Sequence, residues 1–108
     1  MKNIQININN NYQLNQFQNS LNLKVIKNDN FDNDMIDYGI IIINKAYNLM
    51  NNGNDRAKYI SDSFDSKYPQ KGKYWNCFIL PPSIPGCCIY SNYNISYSTG
   101  KEIILIFV

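Results

Sequence analysis

The chain has 108 residues, a formal net charge of +2, 17% charged residues and no histidine, where an ordinary soluble domain has roughly 25% charged residues. That length makes one domain, able to bury roughly 65% of its unfolded surface by itself, so association into a dimer is expected to support a small core. The weak charge argues against a dedicated binder of nucleic acid or anionic membrane, and the missing histidine removes His-based acid–base catalysis, Ser-His-Asp and Cys-His nucleophile systems and most zinc sites.

Residues 1–20, MKNIQININNNYQLNQFQNS, are rich in Asn and Gln and read as a disordered, low-complexity extension. An extra β-segment is the alternative, because Ile4, Ile6 and Ile8 alternate with polar residues. No apolar signal-peptide core is present there. The folded domain is expected over 21–108. Leu21–Ile26 alternates and predicts a strand, which Asn28-Asp29-Asn30 breaks. Asp32, Asn33 and Asp34 then supply an N-cap and first-turn acids suited to the positive end of a helix dipole. Met35, Gly39, Ile42, Ile43, Ala46, Leu49 and Met50 share one face of that helix, although Ile40–Ile43 is locally β-favouring. Asn51-Asn52-Gly53 reads as its C-cap. A second helix opens at Asn54 or Asp55, has Ala57, Ile60 and Phe64 on its core face, and is ended by Pro69.

Four β-like segments follow, Tyr74–Leu80, Gly86–Ser91, Tyr93–Ser98 and Lys101–Val108. The order β-α-α-β-β-β-β predicts an α+β domain, two helices covering one face of a mainly antiparallel sheet. The run Ile103–Val108 is continuously apolar and should be buried on both faces. The longest apolar runs are too short to span a bilayer, so no membrane partner is expected. Three cysteines without a signal peptide read as reduced thiols in a cytosolic protein. Cys87 and Cys88 are adjacent, and neighbouring strand residues face opposite sides, so packing is favoured over metal or redox chemistry. With no Gly-rich phosphate loop or carboxylate cluster either, no catalytic site, cofactor or metal is expected.

This order of elements resembles the eight-kilodalton class of dynein light chains, from Lys24 to Phe107. The resemblance is carried by Val25-Ile26-Lys27-Asn28, then Met35, Ala57, Ile60, Phe64-Asp65 and Lys67-Tyr68, then Trp75 followed by Cys77, then Gly100 with Ile104-Leu105-Ile106-Phe107. It implies a non-catalytic, strand-exchanged homodimer in which Gly86–Ser91 pairs with the partner's sheet. Beside that strand an extended client segment, typically with a Thr-Gln-Thr-like core, adds by β-augmentation. Two equivalent grooves would hold a client bivalently. The implied partners are dynein intermediate chain, the dynein complex and other client peptides, and the implied place is the cytoplasm, on microtubules or in an axoneme.

The resemblance assigns the groove to Lys27, Asn28, Gly86, Cys87, Cys88, Ile89, Tyr90, Ser91, Asn94, Ser96 and Ser98. It assigns the dimer interface to Trp75, Asn76, Cys77, Ile89 and Tyr90. Several positions depart from the family: Cys88 replaces Tyr, Tyr90 replaces Thr, Ser91 replaces His, and Asn54 stands where a Lys can contact clients. Asn94, Ser96 and Ser98 replace an aromatic wall, with Tyr97 alone remaining aromatic, so client preference is expected to differ. A rival from another class is a single-stranded nucleic-acid binder stacking bases on Tyr74, Tyr90, Tyr93 and Tyr97, with Lys71 and Lys73 beside them; the low net charge opposes it.

Close relatives carry, after the Trp, an interface His whose protonation can split the dimer; Asn76 stands there and cannot titrate near neutral pH. Dimerisation is therefore predicted to hold between about pH 7 and about pH 5. Light scattering across that range checks it, and dissociation with a midpoint near the ordinary His value of about 6.5 would contradict it.

Overall fold

The computed structural model describes residues 20–83 and 91–108. The expected extension (all but Ser20) and five residues of the expected exchanged strand, Gly86 to Tyr90, lie outside the described residues. Two helices pack on one face of a four-stranded antiparallel sheet. The order is β1 (Lys24–Asp29), α1 (Asn33–Leu49), α2 (Gly53–Lys67), a 3-10 turn (Pro69–Lys71), β2 (Asn76–Leu80), β3 (Asn94–Ser98) and β4 (Ile103–Phe107). In space the strands run β1-β3-β4-β2. No described helix is long and apolar enough to cross a membrane.

The first strand begins and ends three residues later than its sequence pattern predicts. Asn28 and Asp29 do not break it; they pair with Ile95 and Asn94 on β3. The ladder is made of backbone, so a neighbouring strand overrides weak β-propensity. Upstream, the Leu21 N–H is drawn off to the side-chain oxygen of buried Asn44 on α1, at 2.6 Å. The register slips between Val25 and Lys27 and leaves Ile26 unmatched, a bulge on an edge strand.

The turn into α1 is built from Asn and Asp side chains. Asn28 accepts from the Phe31 N–H at 3.0 Å and donates to its carbonyl at 3.1 Å. Asn30 takes a left-handed φ of 72°, which Asn tolerates better than most residues. Asp32 then caps α1 by accepting from the Met35 N–H at 2.9 Å. The β-favouring run Ile40–Ile43 lies mid-helix, and its burial against the core outweighs propensity: Ile41, Ile42 and Ile43 are all buried. Two expected core positions miss. Leu49 is 65% exposed, and Met50, extended, is the C-cap.

Asn51-Asn52-Gly53 does not act as a left-handed C-cap. Asn52 is instead the N-cap of α2 and Gly53 its first residue. The Asn52 side chain accepts from the Asp55 N–H and donates to the Asp55 carboxylate, both at 2.9 Å, so the cap is held from the residue it caps. Ile60 and Phe64 are buried as expected, and Ala57 is partly buried. The helix stops before Pro69.

Alternation separates the sheet's two faces. Cys77, Ile79, Ile95, Tyr97, Ile104 and Ile106 point toward the helices and form the core with Met35, Ile43, Ala46, Ile60 and Phe64. The opposite face carries Asn76, Phe78 and Leu80, then Ile103, Leu105 and Phe107, then Asn94, Ser96 and Ser98. Ile104, Leu105 and Ile106 are all buried, so the middle of β4 is covered on both faces, as its apolar run predicts.

Tyr97 fixes how closely α1 can approach. Its ring is fully buried and its hydroxyl donates to the Ile36 carbonyl at 2.7 Å. Gly39 leaves the space that this hydroxyl occupies; a Cβ there would collide with the Tyr97 Oη and ring. Gly39→Ala is therefore predicted to destabilise the fold by roughly 1–3 kcal/mol through overpacking, against a helix-propensity gain of about 1 kcal/mol. Urea unfolding checks this, and in a Tyr97→Phe background the same substitution should cost clearly less.

Candidate functional site

Trp75 sets the geometry of the site. It sits immediately before β2, 3% exposed, with its ring edge-on to Phe31 at 5.8 Å and tilted against Phe64 at 5.1 Å. Its N–H donates to the Asp65 carboxylate at 2.7 Å, and its indole N–H donates to the Tyr68 carbonyl at 3.1 Å. Both partners belong to the last turn of α2 and its cap. The end of α2 and the start of β2 are thus clamped together, and the two elements run back alongside each other. At the far end of this pair the first turns of α2 stand off from the end of β2.

That opening is a groove of about 290 Å³, lined by Gly53, Asn54 and Ala57 of α2, by Cys77, Phe78, Ile79 and Leu80 of β2, and by Glu102. Among the described residues β2 pairs only with β4, so its outer backbone edge faces this opening. Such an edge offers N–H and C=O groups to an added strand. Glu102 lies just before β4, and its backbone N–H donates to the Thr99 hydroxyl at 3.0 Å while its carbonyl accepts from the Thr99 N–H at 3.0 Å. Its carboxylate accepts from the Tyr47 hydroxyl at 2.5 Å. The Arg56 guanidinium lies 4.2 Å from the centre of the Tyr47 ring, and its Nε donates to the Met50 carbonyl at 3.1 Å.

The sequence-expected residues do not all meet here. Cys77 lines the groove; Trp75 is buried behind it, and Asn76 is exposed on the opposite sheet face. Lys27 and Asn28 lie on β1, the opposite edge of the sheet, three strand spacings or roughly 14 Å from β2. Lys27 pairs with Asp29 at 3.4 Å, and both polar ends of the Asn28 side chain are taken by the turn at Phe31. Asn94 is 1% exposed, donates to Asp29 at 3.0 Å, and has a buried side-chain oxygen with no partner among the described residues. Ser91 donates to the Tyr93 carbonyl at 3.0 Å. Ser96 and Ser98 share the sheet face that carries Leu105. Gly86, Cys87, Cys88, Ile89 and Tyr90 fall outside the described residues.

Phe78, Leu80 and Glu102 are the residues that sequence reasoning missed. Phe78 is 47% exposed and meets Phe107 edge-on at 5.4 Å, so this sheet face has aromatic rings from β2 and β4 where β3 has Asn and Ser. A signal existed: Cys77-Phe78-Ile79-Leu80 is apolar on both parities, which marks a strand with two apolar faces. Nothing in the sequence links Glu102 to Tyr47, 55 residues away. Of the tyrosines expected in a base-stacking platform, Tyr97 is fully buried, Tyr93 is half-buried with Lys71 5.5 Å from its ring centre, and Tyr74 is 80% exposed, while Tyr90 lies outside the described residues. Among the described residues no group of three His, Cys, Asp or Glu side chains could hold a metal ion.

The sequence matches no protein-family model, and no curated protein matches it. Among solved structures, the dynein light chain-like domain of a Fasciola hepatica calcium-binding protein, FhCaBP2, superposes with a TM-score of 0.65 at 19% identity, covering 82% of this chain and 92% of that one. A mercury derivative of the same domain gives 0.62 at 20% identity, over 79% and 89% of the two chains. The chain has the dynein light chain-like fold.

Burial pushes the Cys77 thiol up from 9.0 to about 12. Unfolding lets this thiol lose its proton near 9, so its contribution to stability is complete below that pH and is lost as pH rises toward 12. Urea unfolding followed against pH should show stability starting to fall near pH 9. In Cys77→Ala the onset should move to about pH 10, where tyrosines begin to titrate; an unmoved onset would overturn the assignment.

Proposed function

We propose that this protein is a non-catalytic, homodimeric hub of the dynein light chain kind, binding extended segments of client chains by β-augmentation. The observation that carries the proposal is the groove between β2 and the first turns of α2, with β2 pairing only with β4 among the described residues. A second copy supplies a strand, expected from Gly86–Ser91, to that edge, and the client adds beside it; backbone hydrogen bonds give affinity and the groove's side chains give selectivity. The sheet face away from the helices supports a dimer, because Phe78, 47% exposed, stands there with Leu80, Ile103 and Phe107 half-buried around it, and exposed apolar side chains grouped in this way mark an interaction surface.

Dynein intermediate chain in a cytoplasmic or axonemal motor is the proposed client, with the protein acting on microtubules. Two grooves per dimer would hold two copies of the client, and the second contact would form at high effective concentration. Serines and Asn94 on β3 replace rings expected there, so the client range is proposed to be narrower than that of a general hub.

Calorimetric titration of the purified protein with an extended Thr-Gln-Thr peptide, paired with light scattering in the same buffer, tests this. One peptide bound per subunit of a dimer is the expected result. A monomer that binds nothing would overturn the proposal; a stable dimer without binding would confine it to a dedicated client, to be tested with the intermediate chain. Phe78→Lys, half-exposed and so tolerated by the fold, should shift the dimer to monomer at micromolar concentration in sedimentation equilibrium.

A further inference from the structure

The side of α1 turned away from the core is covered. With 3.6 residues per turn, Ile41 and Asn44 lie roughly 130° and 170° round the helix from the core stripe of Met35, Gly39, Ile42 and Ala46. Both are buried, Ile41 at 7% and Asn44 at 0% exposure, yet Ile41 is not part of the main hydrophobic cluster. The second helix meets α1 through Tyr38, whose hydroxyl donates to the Ser63 carbonyl at 3.1 Å. That flank is roughly 120° round from Asn44, so α2 does not account for its burial. The chain entering the domain accounts for part of it. Leu21 donates its N–H to Asn44 Oδ1 at 2.6 Å, and Asn44 Nδ2 donates to the Ile40 carbonyl at 2.9 Å. A buried amide is costly unless bonded, so these two contacts make Asn44 a fixed point of entry.

That point steers the residues before it. Phe17 lies four positions ahead of Leu21, a reach of roughly 13–14 Å when extended. Ile41 is only about 4.5 Å along the helix axis from Asn44. Leu14, Phe17 and Leu21 fall at three- and four-residue spacing, with Asn, Gln and Ser between them, so they can present one apolar side. We infer that the outward face of α1 is the docking site of this chain's own N-terminal segment, with Leu14 and Phe17 seated on Ile41 and the chain pinned at Asn44. Asp37 and Asn48 border the seat at the i−4 position from Ile41 and the i+4 position from Asn44, giving it polar rims suited to an Asn- and Gln-rich segment. The rival seat is the outer edge of β1, where Val25 and Ile26 are 43% and 56% exposed and the alternation of Ile4, Ile6 and Ile8 would suit an added strand. The bond from Leu21 to Asn44 favours the helix, because it carries the chain into the helical layer before β1 begins. The inference does not depend on the client groove, which lies between α2 and β2.

Hydrogen–deuterium exchange of the full chain, read by mass spectrometry on peptic fragments, tests this. In the wild type the amides of residues 13–19 should exchange about tenfold or more slowly than in a free peptide of the same sequence. Dilution should leave that protection unchanged, since the contact lies within one chain. Ile41→Glu puts a charge on the seat and leaves the core stripe intact; it should return 13–19 to the free-peptide rate while α2 and β4 stay protected. Leu14→Ser combined with Phe17→Ser, which changes no described residue, should do the same and covers the case in which Ile41→Glu fails to fold. Free-peptide rates at 13–19 in the wild type would overturn the inference, as would protection that survives the Leu14 and Phe17 substitutions or vanishes on dilution. Protection confined to 3–9 and lost in Ile26→Lys would put the segment on the edge of β1 and overturn it equally.

Discussion

The indole of Trp75 is the constraint from which the rest of the architecture follows. It gives one hydrogen bond to Asp65 from its backbone and one to the Tyr68 carbonyl from its ring, and it fills the space among Phe31, Phe64 and Tyr93. A polar group buried at the seam between helix and sheet is costly unless paired, so these bonds and the apolar packing reinforce one another. Pro69 stops α2 just before this point, and Tyr74, at a φ of 63°, turns the chain into β2. Such a conformation is unfavourable for a bulky residue and persists where surrounding contacts hold it. The result is a helix and a strand clamped at one end and open at the other.

That one-ended clamp explains why an opening exists in so small a domain. The closed end concentrates the aromatic residues, where ring packing fixes the layer spacing. At the open end α2 begins with Gly53, Asn54 and Ala57, side chains too small to reach β2 and fill the gap. The sheet is similarly divided. Its inner face is sealed by Ile95, Tyr97, Ile104 and Ile106 against the helices, and its outer face presents Phe78, edge-on to Phe107. A monomer that leaves both a backbone edge and an apolar face available is suited to association, which is the physical content of the hub proposal.

The abundance of Asn, which in composition alone suggests nothing beyond codon usage, has local structural consequences. Asn28 and Asn30 shape the turn after β1, Asn44 anchors the chain entering the domain, and Asn52 caps α2. Each uses the same property, a short amide that can both accept from and donate to nearby backbone. Charge is scarce, and one carboxylate borders the candidate groove. Glu102 stands at the rim of a groove otherwise lined by small, apolar or neutral groups, and its hydroxyl partner comes from a different layer.

By itself the sequence determined the kinds of element, their order and much of the core. Helical spacing placed Met35, Ile42, Ile43, Ala46, Ile60 and Phe64 inside, and the unbroken run in β4 announced burial on two faces, because periodicity and apolar content act through local geometry. Boundaries were less legible: the strand at Asn28-Asp29 is imposed by its partner β3, and Gly53 opens a helix because the Asn52 side chain caps the Asp55 N–H and is held there by the Asp55 carboxylate. The candidate site was legible only in part. Cys77, sought at the dimer interface, lines the groove, whereas Lys27 and Asn28, sought at the groove, lie on the far edge of the sheet, since strand order is a property of pairing across the sheet. Only the tertiary structure decided that Leu80, Gly53 and Glu102 border one opening and that Tyr47 reaches across 55 positions to orient its carboxylate. Such contacts leave no periodic trace, because they are set by how the layers pack and not by the spacing along any one element.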